Sequence, residues 1–162
     1  MTPVPEPLPQ PLFAPPWSSE VTSWSGTRGR LLLRREGSKS VTVEMQRCAA
    51  GRLRNSYPIS ARDIEVRLFG LASSDELTTA LAAVVAAIHS AEAHCRKVVY
   101  AVESNGAHQG RISRLATIAA AEAAGFRYVV DVDVAESELS LLVSEPGWVT
   151  EVDIDLEHVP GS

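Results

Sequence analysis

The sequence predicts an α/β (α+β) fold in which a mixed, mostly antiparallel central sheet is flanked by two main helices. Three observations carry this. Between residues 29 and 70, short runs with apolar residues at every second position are separated by turn residues, the period of half-buried strands. Two segments, one opening at Ser73 and one running from about Arg111 to Ala124, are long and helical in character. Between and after them lie strand-like runs, which gives the order β-β-β-α-β-α-β-β.

Each element has its own local cause. "GRLLLRREG" (29–37) meets "SKSVTVEMQRC" (38–48) across Gly37-Ser38-Lys39, and Val41, Val43 and Met45 alternate with polar neighbours, which reads as a hairpin. Residues 49–60 hold the breakers Gly51, Asn55 and Pro58 and read as a loop. "DIEVRLFG" (63–70) alternates Ile64, Val66 and Leu68 as a third strand of the same sheet. The first helix opens on a capping box, Ser73 with Glu76 three residues on, and Leu77, Leu81, Val84, Val85 and Ile88 then form one apolar stripe. "KVVYAVES" (97–104) is a nearly continuous β-branched run, the pattern of a buried central strand. The loop "NGAHQG" leads into the second helix, whose five alanines (Ala119, Ala120, Ala121, Ala123 and Ala124) let its backbone lie close to the sheet. Gly125 suits the left-handed position that ends a helix, and Phe126 folds back on the last turn as the apolar contact of a Schellman cap. "RYVVDVDV" and "LSLLVSEP" form a second hairpin, and "WVTEVDIDLE" (148–157) reads as an edge strand protected by its acids.

At 162 residues, 45% apolar and 22% charged, the chain is predicted to form a single domain over 25–158. It is preceded by a Pro-rich extended tail over 1–24 and followed by a short tail over 159–162. Seven of the ten prolines stand in the first sixteen residues, so that tail is expected outside the core, pinned at most at Phe13 and Trp17. Removing residues 1–16 is then expected to leave folding intact. No run of eighteen apolar residues and no basic segment followed by an apolar one is present, and Cys48 and Cys95 stand alone without metal-ligand spacing. A cytoplasmic location without membrane contact, zinc or disulfides is the expectation. No Arg-rich stretch is interleaved with stacking aromatics, which disfavours nucleic acid. Charge is split along the chain: residues 28–67 hold ten Arg and Lys, and no Arg or Lys follows Arg127.

The element order, and the phrase "AEAAGF" (121–126) between an Ala-rich helix and a strand, resemble the GCN5-related N-acetyltransferase (GNAT) superfamily. The resemblance covers about residues 29–146. It implies a sheet whose central strands splay apart, an acetyl-CoA or other acyl-CoA cofactor in the wedge, and acyl transfer to an amine of a small molecule or protein. It implies two alternative pyrophosphate sites. One is "FGLASSDEL", where Gly70, Ala72, Ser73 and Ser74 would offer amides at a helix N-terminus, with Asp75 and Glu76 opposing an anion there. The other is "NGAHQGRISR", with Asn105, Gly106, Gly110 and Arg111. His108, Glu103 and Asp131 are the candidate proton-handling residues. The family often has a Tyr four residues before the Gly of Gly-Phe; here Ala121 stands there. The two helices that build the family's acceptor side have no room between Trp24 and Arg30, so loop 49–62 is left to substitute for them in part, or a second subunit of a homodimer. An acidic C-terminal third favours a cationic amine. The alternative reading is a non-catalytic protein of the same fold acting as an interaction or assembly subunit, through the Pro-rich tail or the terminal edge strand.

Overall fold

The structure, a computed structural model, describes residues 6–55, 58–71, 73–92, 97–103, 112–134 and 137–145. Among them the strands are β1 (Trp17–Ser25), β2 (Arg28–Arg35), β3 (Val41–Arg47), β4 (Ile64–Phe69), β5 (Val98–Glu103), β6 (Arg127–Val134) and β7 (Ser137–Ser144). The helices are α1 (Ser74–Ala91) and α2 (Arg114–Ala123). The strands form one sheet in the order β1-β2-β3-β4-β5-β7-β6, antiparallel throughout except for the parallel pair β4–β5. The predicted order holds with one strand added in front. "WVTEVDIDLE" lies outside the described residues.

β1 is the added strand, and it changes the reading of the N-terminus. The expected tail over 1–24 includes residues 17–24, which carry none of the prolines. They pair with β2 across the two-residue turn Gly26-Thr27, an edge position that needs no second buried face. The Pro-rich segment before it is extended, as its prolines dictate, but it is docked rather than solvated. Leu8 is 5% exposed and belongs to the main core. The amides of Leu8 and Leu12 donate to Gly26 O at 2.8 Å and Ala87 O at 3.1 Å. Trp24 lies over Gly29, where any Cβ would meet its ring, and its Nε1 donates to Leu8 O at 3.0 Å.

Arg47 closes this strap. Its side chain is fully buried and donates to Glu6 O, Pro7 O and Arg62 O, at 3.0, 2.7 and 2.6 Å, and bidentately to Glu92 just beyond α1, at 2.9 and 3.0 Å. A guanidinium is the one side chain with enough donors in a rigid fork to satisfy that many acceptors at once.

The core lies mainly between the sheet and the two helices. Val43, Met45, Val66, Leu68, Tyr100 and Leu142 meet Leu77, Leu81 and Val84 of α1 and Ala120 and Ala121 of α2. The opposite face has a smaller core under the loop after β3. Cys48 and Leu53 pack there on Val99, Leu139, Leu141 and Val143 of β5 and β7. Both caps form as predicted. Ser73 Oγ accepts from Glu76 N at 3.2 Å. Gly125 has φ +100°, Phe126 N donates to Ala121 O and Gly125 N to Glu122 O, both at 3.0 Å, which is the Schellman pattern. α2 starts at Arg114, three residues later than the sequence suggests, because Ser113 Oγ accepts from Ala116 N and so serves as its cap.

Candidate active site

The site begins where β4 and β5 part. Their ladder contains three register pairs, Ile64↔Val98, Glu65↔Val99 and Val66↔Tyr100, although each strand is six residues long. Arg67, Leu68 and Phe69 remain paired to β3, and Ala101, Val102 and Glu103 to β7, so each half-strand keeps one satisfied edge and turns the other towards a wedge. Leu68 and Val102 stay in the core beneath the helices, so the strands separate sideways without leaving the packed layer. Among the described residues the facing edges have no ladder partner in one another, and backbone amides and carbonyls in such a place call for a ligand or solvent.

Three solved structures align with this fold. The aligned region covers 75% of this chain in each. AAC(6')-Ib in complex with paromomycin and acetyl-CoA aligns at TM-score 0.59 and 12% identity. The aminoglycoside acetyltransferase AAC(6')-Ib with coenzyme A and kanamycin gives the same values. An uncharacterized protein from Bacillus halodurans aligns at TM-score 0.62 and 14% identity. The match spans 66% of the first of these chains, 68% of the second and 60% of the third, so the chain covers about two thirds of their length or less. No family model and no curated protein matches the sequence. The chain has the GNAT fold.

Within this GNAT fold the predicted site residues fall in several places. Gly70 follows β4 at φ +92°, a left-handed conformation that turns the chain towards α1. Ser73 and Ser74 lie at the N-terminus of α1, at the wedge end of β4, but Ser73 Oγ is already taken by the cap and Asp75 and Glu76 occupy the first turn. Glu103 is the last residue of β5, half-buried, on the sheet face turned away from the helices. Asp131 is exposed on the edge strand β6, separated from the wedge by β7, and accepts from Ser140 Oγ at 2.7 Å. Arg114 at the start of α2 donates to the same Ser140 oxygen. Asp131 also faces Tyr128, whose hydroxyl it keeps protonated by accepting a hydrogen bond from it and by its negative charge. So the structure brings Gly70, Ser73, Ser74 and Glu103 to the wedge and sets Asp131 in a separate network. Ala72, Asn105, Gly106, His108, Gly110 and Arg111 lie outside the described residues.

Two more buried side chains stand at the wedge. Glu65, at the second of the three register pairs, is 3% exposed, and its Oε2 accepts from Arg52 Nη2 at 2.7 Å and lies 3.5 Å from Arg67 Nε. Alternation marked 65 as an outward position, and nothing local signals that loop 48–55 folds over it. Tyr100, at the last register pair, is buried against Phe126 in an edge-to-face contact with centroids 6.2 Å apart. Its hydroxyl has no hydrogen-bond partner among the described residues, and burial pushes its pKa well up, keeping it protonated. Among the described residues no group of three or more His, Cys, Asp or Glu is placed to hold a metal, and no helix is long and apolar enough to cross a membrane.

Proposed function

We propose that this chain is an acyl-CoA-dependent N-acyltransferase that moves an acetyl group to an amine. The divergence of β4 and β5 beyond Val66 and Tyr100 carries the reading. A pantetheine arm has two amides of its own and can pair with a free strand edge as another strand would, and the edges of residues 67–69 and 101–103 supply that pairing. The bound donor contributes an acyl group activated as a thioester, and the chain's own groups do the rest. The edge amides that line the wedge hold the acyl carbonyl and stand ready as donors to the oxygen on which charge develops during amine attack. Glu103, half-buried at the mouth, is the proton acceptor for the attacking amine, with His108 the alternative on the following loop. With Ala121 in place of a tyrosine, the departing thiolate has no hydroxyl at that helix position.

The pyrophosphate goes to the second of the two predicted loops. Around Gly70, Ser73 and Ser74 the amides are present, but Asp75 and Glu76 repel an anion and no cation stands between Gly70 and Glu76. In the second loop Arg111 carries the favourable charge, with Asn105, Gly106 and Gly110 as neutral hydrogen-bonding partners. The same acids are the observation that favours the competing reading, a non-catalytic protein of this fold.

One titration separates the two. Coenzyme A binding only the folded state raises the melting temperature, by an amount equivalent to about 2.7 kcal/mol at a hundred times Kd. A rise is expected in the wild type and a reduced one in Arg111→Ala. An unchanged melting temperature at millimolar coenzyme A eliminates the enzyme.

A further inference from the structure

On the face away from the helices, the loop after β3 borders a groove of about 490 Å³ whose lining includes Gln46, Gly51, Arg52, Arg54 and Val134. The volume suits a small molecule, and the walls are built rather than accidental. Gln46 Nε2 donates to Ala50 O at 3.4 Å, and its Oε1 lies 2.9 Å from where a Cβ on Gly51 would stand, so the side chain packs directly on the loop. Arg54 N donates to Gly51 O at 3.3 Å, a turn that presents two guanidinium groups two residues apart. Arg52 is braced: Nε and Nη2 both donate to the buried Glu65, and its remaining donors have no hydrogen-bond partner shown among the described residues. Arg54 is exposed, and among the described residues no carboxylate pairs with it.

Asp133 also lines the groove. Asp133 alternates with Val132 and Val134, which face the small core, so its carboxylate lies on the same side of β6 as that of Asp131, which bonds Ser140. Among the described residues the groove therefore offers the unpaired fork of Arg54 beside the donors that Arg52 does not give to Glu65, and such donors match carboxylate or phosphate oxygens. It also abuts the wedge: Arg52 lines it and grips Glu65, which stands in the ladder next to the pair where the wedge opens.

We propose that this groove binds the anionic group of the amine acceptor, so that the substrate is an amine that also bears a carboxylate or phosphate. This rests on the acyl-transfer reading for the amine but not for the anion. It also gives loop 48–55 the place of the absent acceptor-side helices.

The test uses the full-length protein, with L-amino acids set against their carboxamides and O-phosphoethanolamine against ethanolamine. Each is offered as acceptor with acetyl-CoA and, separately, as ligand without donor in calorimetry. The charged member of a pair is expected to be preferred roughly ten- to hundredfold in kcat/KM or Kd, the worth of a charge-assisted hydrogen bond. Arg54→Glu removes that preference while leaving the melting temperature unchanged, since the side chain is exposed. The pair that shows the larger preference tells carboxylate from phosphate. Equal use of charged and neutral members, no binding of either charged class, or a preference that survives both Arg54→Glu and Arg54→Ala overturns the proposal. If coenzyme A raises the melting temperature but no anion preference appears, the groove assignment falls and acyl transfer stands. If anions bind and coenzyme A does not, the reverse holds.

Discussion

Arg47 shows how much one residue can decide. In the sequence it is the last position of a strand that alternates regularly, one of the ten cations between 28 and 67. In the structure it ties the Pro-rich segment, the turn before β4 and the end of α1 together with five hydrogen bonds. Losing one partner of a buried ion pair leaves the other charge and several carbonyls unsatisfied. Because Glu92 keeps some exposure, Arg47→Met is expected to cost about 3 kcal/mol, the low end for such pairs. That lowers the melting temperature by about 6–12 °C for a chain of this size. A fall of no more than a degree or two in a thermal scan contradicts the clamp. His89 offers a second residue-level test. Its Nε2 is buried without a partner among the described residues, and burial holds its pKa below the ordinary 6.5. The unfolded chain therefore takes up the proton first as pH falls. The stability linked to His89 is complete above 6.5 and is lost as pH drops below that value, until the folded imidazole also protonates. Denaturant titrations between neutral and mildly acidic pH should show a shallower decline in His89→Gln than in the wild type; parallel curves would dismiss this account.

At the scale of elements, the caps and turns are where local sequence speaks plainly. Ser73, Gly125 and Phe126 act through groups within five residues of themselves, so no knowledge of the fold is needed to place them. Gly125 makes this quantitative. Nothing lies within 4 Å of a Cβ built there, so Gly125→Ala meets only the backbone cost of φ +100°, about 1–2 kcal/mol. The melting temperature should drop a few degrees, and Gly125→Asn should recover part of it because Asn tolerates that conformation. An alanine variant as stable as the wild type would mean the Schellman cap does not hold α2. β1 is the opposite case. Its Ser- and Thr-rich run has no period to read, and it becomes a strand only because β2 presents an edge to it.

For the whole molecule, docking of the N-terminal strap replaces the expectation of a dispensable tail. Deleting residues 1–16 takes Leu8 out of the core, with about 1.5–3 kcal/mol of burial, and removes two of the carbonyls that Arg47 binds. The truncated chain should melt well below the full one or lose its cooperative transition. An unchanged melting curve would restore the view of this segment as a leader. The candidate site follows the same division. The positions of Gly70, Ser73 and Glu103 at element ends were legible because the order of those elements was correct, and their roles belong to the proposal. Glu65, Arg52 and Arg54 were not, because their meeting depends on a loop that crosses from β3 over β5 and β7, and no spacing encodes a crossing.

The sequence by itself determined which segments between residues 28 and 145 become strands and helices, where the helices stop, and the connectivity that led to the GNAT resemblance. These are short-range matters of period, cap and turn. Only the tertiary structure decided that β4 and β5 separate after three paired residues, that the proline-rich segment docks on the core through Leu8 and the Arg47 clamp, and that two arginines line a groove beside the wedge. Each of those depends on contacts between residues far apart in the chain, and a one-dimensional pattern of apolar and polar positions is the same whether two strands stay paired or part.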